Sequence, residues 1–286
     1  MTIAVDGLRR TRPEWSPWLA VVEEALRETT HGRWDRVVPE PGEDRRPPLL
    51  DGSSVVVADS AARDLLTRLI RTAASSGTAK MATLEAALRS DIDVAGLFAA
   101  SVCQDRDRVS ETAAVCRADA EALQAVVALL AIPFLQACNR RWASPLTESF
   151  TEGFCPICGS WPTLAEMRGI ERSRYLRCGR CGSEWHSQIL HCAYCGTTNH
   201  EHLASLVPET AASGGAIEAC RRCHSYLKVF TKLQGSPPAE VMLHDLATVD
   251  FDVAALEQGY TRPVRPGRDI EITVVTTAPQ VLPWTL

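Results

Sequence analysis

Residues 155–223 contain Cys155-Pro-Ile-Cys158-Gly159, Cys178-Gly-Arg-Cys181-Gly182, Cys192-Ala-Tyr-Cys195-Gly196 and Cys220-Arg-Arg-Cys223. A Cys-x-x-Cys turn aims two thiolates at one point, and two such turns complete the tetrahedral shell that zinc or iron accepts. A single pair reads equally as a redox dithiol or as chance. Four pairs, three of them followed by glycine, predict two closed four-cysteine sites and two zinc or iron ions, with either metal compatible with thiolate tetrahedra.

Two pairings compete. Sequence order joins Cys155/Cys158 to Cys178/Cys181 and Cys192/Cys195 to Cys220/Cys223, whereas a cross-braced finger joins first to third and second to fourth. The stretches after the first and third pairs each have room for a hairpin that returns the next pair to face the one before. The short stretch between the second and third pairs suits a connector, which favours sequence order. His186, His191 and His224 lie near these turns, but eight cysteines leave them unnecessary as ligands.

The rest of the chain bounds the reading. A length of 286 residues suggests about two domains. A hydrophobic share of 45% is enough for a sizeable core, and a net charge of −5 gives no electrostatic case for a nucleic-acid partner. Met1 to Arg12 lacks the apolar stretch of a secretory signal. No window approaches the ~18 uninterrupted apolar residues of a membrane span. Eleven cysteines without those features fit a reducing cytoplasm and no membrane.

Residues 1–13 read as a loose lead-in. Trp15, Trp18, Leu19, Val22 and Leu26 then recur at helical spacing, and the Pro-rich stretch 39–52 reads as a loop. Asp59 or Ser60 can cap a second helix carrying Leu65, Leu66, Leu69 and Ile70, which stops at Gly77. Further helices are expected over 80–89, 94–103 and 110–130, the last using Val115, Leu123, Val126, Val127 and Leu130. Pro133 should kink or restart the chain before 134–142. Cys103, Cys116 and Cys138 read as small apolar core residues.

After Pro145 and a polar run to Gly153 the period changes. Short strands are expected at 161–167, 173–178, 184–190, 203–207 and 226–233, with a Ser-Gly-Gly turn at 213–215. A short helix follows within 240–258, and 270–276 alternates like an edge strand. His200, His202 and His244 read as surface residues, and His31 falls near the end of the first helix. The expected fold is therefore α+β and multi-domain: an all-helical N-terminal domain (1–150), two rubredoxin-like or zinc-ribbon four-cysteine modules (151–190 and 191–234), and a C-terminal helix and tail (235–286).

The metal module also resembles a known family. The stretches Cys155-Pro-Ile-Cys-Gly-Ser160, Arg174-Tyr-Leu-Arg-Cys-Gly-Arg-Cys181, Ser183-Glu-Trp-His186, Tyr226-Leu-Lys228, Asp245-Leu-Ala-Thr248 and Glu257-Gln-Gly-Tyr260 look like those of the FdhE family of formate dehydrogenase accessory proteins. The resemblance covers residues 153–261 closely and the helical half in layout. It departs at Ile189 and His191, where the family tends to be basic, and at His224, where glycine is frequent.

The resemblance implies a cytoplasmic, non-catalytic maturation factor that binds the catalytic subunit of a formate dehydrogenase. It admits a homodimer. Tyr175, Trp185 and His186 are the candidate partner contact, an aromatic pair beside a histidine; the same aromatics could instead fill a small metal-stapled core. Two other functions compete. A zinc ribbon that binds nucleic acid would need clustered cations, with Arg221 and Arg222 the ones to watch. A thiol redox protein would normally expose one activated pair rather than four. A hydrolase would need an open metal position, which a four-sulfur shell lacks.

Overall fold

In the computed structural model the described residues are 2–40, 46–75, 78–89, 91–142, 150–207 and 215–277. The expected stop at Gly77, the boundary at Pro145 and the first two residues of the 213–215 turn lie outside them. The first half contains α1 (Thr2–Thr11), α2 (Ser16–Glu28), β1 (Ser53–Ala58), α3 (Asp59–Ala74), α4 (Ala79–Ala82) and α5 (Glu85–Arg89). It continues with α6 (Val94–Cys103), α7 (Arg106–Cys116), α8 (Ala120–Leu130) and α9 (Ile132–Trp142). Then come β2 (Leu164–Arg168), β3 (Ser173–Arg177), β4 (Glu184–His186), β5 (Leu203–Leu206), β6 (Gly215–Cys220) and β7 (Tyr226–Lys232). Helices α10 (Pro238–Ala247) and α11 (Val249–Glu257) and strand β8 (Ile272–Thr277) close the order.

Contacts divide the chain into two units. One comprises Val5–Glu40, Gly52–Ala137 and Glu271–Leu286; the other comprises Met1–Ala4, Pro41–Asp51 and Cys138–Ile270.

In the first, helical unit, α3 packs against α2, α6 and α8. Of the predicted stripes, Leu19, Val22 and Leu26 of α2 and Leu65, Leu66, Leu69 and Ile70 of α3 are all buried, whereas Trp18 and Trp15, the latter ahead of α2, are half-buried. Trp34 stacks on Phe98 at 5.9 Å and Phe98 tilts against Phe134 at 5.6 Å, giving the unit an aromatic spine.

Three features of this unit differ from the sequence reading. Residues 2–11 form a helix rather than a loose lead-in, with Val5 and Leu8 buried and Arg9 donating to Glu23 at 2.5 Å. The expected helix over 110–130 is two helices. Arg117 turns left-handed at φ 56°, and the Asp119 carboxylate then accepts the Ala122 amide to start α8. The break leaves Val115, an expected core residue, 83% exposed. The unit is also not purely helical, because β1 pairs in parallel with β8, Ser53 opposite Ile272 through Ala58 opposite Thr277.

Within Ala120–Trp142, long enough to cross a bilayer, an 18-residue window has a mean hydropathy of 1.7, but 78% of that window is buried in the protein. Cys116 and Cys138 are buried and Cys103 half-buried, as expected of small core residues.

In the second unit the two expected ribbons are one structure. Strands β4-β3-β2-β7-β6-β5 make a single six-stranded sheet. The join is the parallel pairing of β2 with β7, Leu164 opposite Lys228 through Arg168 opposite Lys232. The expected short helix is two, α10 and α11. Their Val241, Phe251 and Ala255 close a core on Leu164, Ile217, Tyr226 and Phe230 of the sheet. His244 is no surface residue: its ring lies 4.1 Å from that of Phe230.

Candidate metal centres

Each of the four cysteine pairs builds the same local turn. The amide of the first cysteine donates to the carbonyl five residues on: Cys155 to Ser160 (2.7 Å), Cys178 to Ser183 (3.0 Å), Cys192 to Thr197 (2.9 Å) and Cys220 to Ser225 (2.9 Å). The residue after the second cysteine folds its amide back on the first cysteine's carbonyl at 2.8–3.0 Å. That residue is left-handed each time: Gly159 (φ 71°), Gly182 (φ 76°), Gly196 (φ 70°) and His224 (φ 54°). Glycine adopts this region without cost and a side chain does so with strain. A Cβ on Gly182 would also come within 2.3 Å of Pro238. At the fourth turn His224 occupies the glycine position, its ring facing that of Tyr260 at 6.4 Å and its carbonyl accepting the Thr261 amide.

The turns meet in sequence order. Cys155, Cys158, Cys178 and Cys181 form one group and Cys192, Cys195, Cys220 and Cys223 the other, with the sulfurs of each group within 4.8 Å of one another. In the first group the Sγ–Sγ distances include 3.4 Å (Cys155–Cys181), 3.6 Å (Cys158–Cys178) and 4.0 Å (Cys158–Cys181). In the second, Cys192–Cys223 and Cys195–Cys220 are each 3.7 Å apart. A tetrahedron with Zn–S bonds of ~2.3 Å has edges of about 3.8 Å, so both groups already have the size of a metal–sulfur shell. They are far too wide for disulfides.

The groups differ in surroundings. All four sulfurs of the first belong to fully buried residues, and hydroxyls approach them: Ser183 Oγ lies 3.1 Å from Cys155 and 3.2 Å from Cys181, and Ser160 Oγ 3.3 Å from Cys158. Burial pushes the Cys155 and Cys181 thiols well up, while contacts from neighbouring cysteines pull Cys158 well down. A bound cation would relieve that conflict by stabilising every thiolate. In the second group Cys195 and Cys223 are half-exposed.

The other motif residues turn out to clamp the module together. Lys228, fully buried on β7, reaches Asp245 Oδ1 at 2.6 Å, Asp252 Oδ2 at 2.9 Å and the Asp245 carbonyl at 2.8 Å. Arg262 bridges the same two carboxylates at 2.7 and 2.9 Å, and the Tyr226 hydroxyl donates to Asp252 at 2.7 Å. On β2, buried Glu166 meets Arg177 at 2.7 Å and Arg168 at 2.5 Å and accepts the Ser236 amide. Arg174 pairs with Glu218 at 2.6 Å. Asp252, Arg262 and Glu166 carry no motif, so spacing could not have found them.

Tyr175 and His186 stand opposite each other on β3 and β4 with rings 5.8 Å apart, and the Arg168 guanidinium lies 4.5 Å from the Tyr175 ring. Trp185 does not join them. It alternates to the other face, is 4% exposed, and donates its indole N–H to the Glu152 carbonyl at 3.1 Å.

The stretch that carries both cysteine groups is similar to known proteins. Residues 154–188 match the FdhE central domain and residues 190–265 the FdhE C-terminal domain. Over these residues the chain is similar to the FdhE family. A "Protein FdhE homolog" of Stutzerimonas stutzeri (strain A1501) is 37% identical over 122 residues, 42% of this chain and 39% of that protein. "Protein FdhE" of Escherichia coli O127:H6 is 34% identical over 111 residues, 38% of this chain and 35% of that protein. The sequence match thus spans less than two fifths of the length of these two relatives. The crystal structure of the FdhE protein from Pseudomonas aeruginosa has the same fold over 92% of both chains, at a TM-score of 0.57 and 22% identity.

Proposed function

We propose that this protein is a non-catalytic accessory factor in the formation of active formate dehydrogenase, binding that enzyme's catalytic subunit in the cytoplasm. The observation that carries the reading is the pair of adjoining family matches that take in both cysteine groups and their clamping residues. The eight paired cysteines are the ligands in this reading, and each site takes one zinc or iron ion. Such an ion would pin two distant turns at one point, and a four-sulfur shell leaves no position for substrate or water.

The contact we propose is the exposed side of β3 and β4 at Tyr175 and His186, with Trp185 serving the core instead. The nucleic-acid reading loses ground. Residues 151–234 carry nine Lys+Arg against seven Asp+Glu, and Arg174, Arg177 and Lys228 are buried in ion pairs. The redox reading would need one accessible dithiol, whereas every pair here faces a second pair.

The test is deletion of the gene in a host that respires formate, with formate-dependent dye reduction as the readout. Loss of activity, restored by the gene, and recovery of the dehydrogenase subunit on tagged protein are expected. Unchanged activity with no subunit recovered refutes the assignment. Tyr175→Ala with His186→Ala should abolish recovery while metal content and melting temperature hold.

A further inference from the structure

We propose that the helical unit carries a binding site for a small, multiply charged anion, in the cleft at the end of α2. The cleft encloses about 480 Å³, within the ordinary range for small-molecule sites. Its cationic lining is Arg27, Arg33, Arg36 and Arg68, with His31 beside them, against two carboxylates, Glu24 and Glu28. In a chain of net charge −5, this lining carries a local surplus of positive charge.

The two carboxylates orient the arginines. Glu28 is 3% exposed, and its Oε1 accepts Arg33 Nε at 2.6 Å and the Trp34 indole at 2.9 Å. Its Oε2 accepts Arg68 Nη2 at 2.6 Å. Glu24 takes Arg68 Nε and Arg27 Nη1, each at 2.6 Å. These bonds occupy one edge of each guanidinium and leave other N–H groups to donate. Arg36 and the His31 ring have no such partner among the described residues.

The end of a helix is an unfavourable place for an anion when its last carbonyls are bare. Here the amides of Thr29, Thr30 and His31 fold back on the carbonyls of Leu26, Arg27 and Glu28. Gly32 keeps the wall open, since a Cβ there would meet nothing nearer than Asp35 Oδ2 at 4.0 Å. Several guanidinium forks converging without an aromatic wall suit clustered anionic oxygens, as in a pyrophosphate or an oligocarboxylate, rather than a base or an apolar body.

The experiment titrates the full-length, metal-loaded protein at low ionic strength, with pyrophosphate in one arm and citrate in the other, followed by calorimetry. Saturable one-to-one binding of at least one probe is expected, and which probe binds assigns the source as phosphate or carboxylate. Arg36→Ala breaks no ion pair and should weaken binding about tenfold or more with an unchanged melting temperature. Gly32→Glu, placed where backbone and space admit a side chain, should abolish it. Both probes can also strip metal, but that signal is common to wild type and variants. Absence of saturable binding in both arms, or equal affinity in wild type and Arg36→Ala, overturns the proposal.

Discussion

At the scale of single residues, the cysteines were legible because a ligand pair is written within four positions. The ion-pair clamp was not, because its partners are far apart in the chain: Glu166 accepts the amide of Ser236, 70 residues on. Replacing Glu166 by Gln takes from buried Arg177 its nearest counter-charge, leaving only the half-exposed Glu184 at 3.7 Å, and should cost about 3 kcal/mol, measured by urea unfolding at neutral pH. Burial opposes ionisation of Glu166, but the Ser236 amide and the Arg177 and Arg168 guanidiniums outweigh it and hold the carboxyl down at about 2. Its contribution is therefore complete above the ordinary value of 4.5 and lost as pH falls from there toward 2. His244 acts over a higher window. Burial against Phe230, with the Lys232 charge, lowers it from 6.5 to about 4, so stability falls as pH drops through that interval. His244→Phe should flatten that part of the stability curve while the part below it persists. His224 offers a third test. Valine is strained in the left-handed region and should cost about 1–2 kcal/mol and loosen the second site, whereas His224→Gly should keep both ions; metal analysis beside thermal melting decides.

At the scale of elements, helices with a clean apolar stripe were legible and breaks between them were not. The start of α8 was written in Asp119, a capping residue, but the continuing apolar pattern masked it. Strand β1 was missed for another reason. Its Val55-Val56-Val57 run is short, and its partner β8 lies near the other end of the chain, so no hairpin turn marks it. The two ribbons were legible as cysteine spacings, but the parallel β2–β7 pairing that fuses them leaves no local signal. Truncation after Ile270 removes six cross-strand pairs from β1 and should destabilise the helical unit by about 3 kcal/mol. A disposable tail would leave its melting temperature unchanged.

At the scale of the whole molecule, the sites should be unequal and the units separable. A chelator reaches the half-exposed Cys195 and Cys223 before the fully buried first group, so metal release should show two phases. Cys155→Ser should leave the fast phase alone; a single phase in wild type would mean the burial difference does not govern release. Complete stripping should expose the sheet unit to protease, because metal binding and folding are coupled there. The helical unit, whose core is Leu19, Leu65, Phe98 and their neighbours, should keep most of its far-ultraviolet signal.

The β1–β8 pairing also has a meaning in time. A ribosome releases β1 early and must add roughly 210 residues before β8 exists, about 10 to 40 s at ordinary elongation rates. Throughout that interval the nascent chain presents an apolar strand edge with no partner, the kind of surface that recruits other strands and holding chaperones. Yield of this protein in the cell should therefore depend on translation speed and chaperone supply more than its finished stability would suggest.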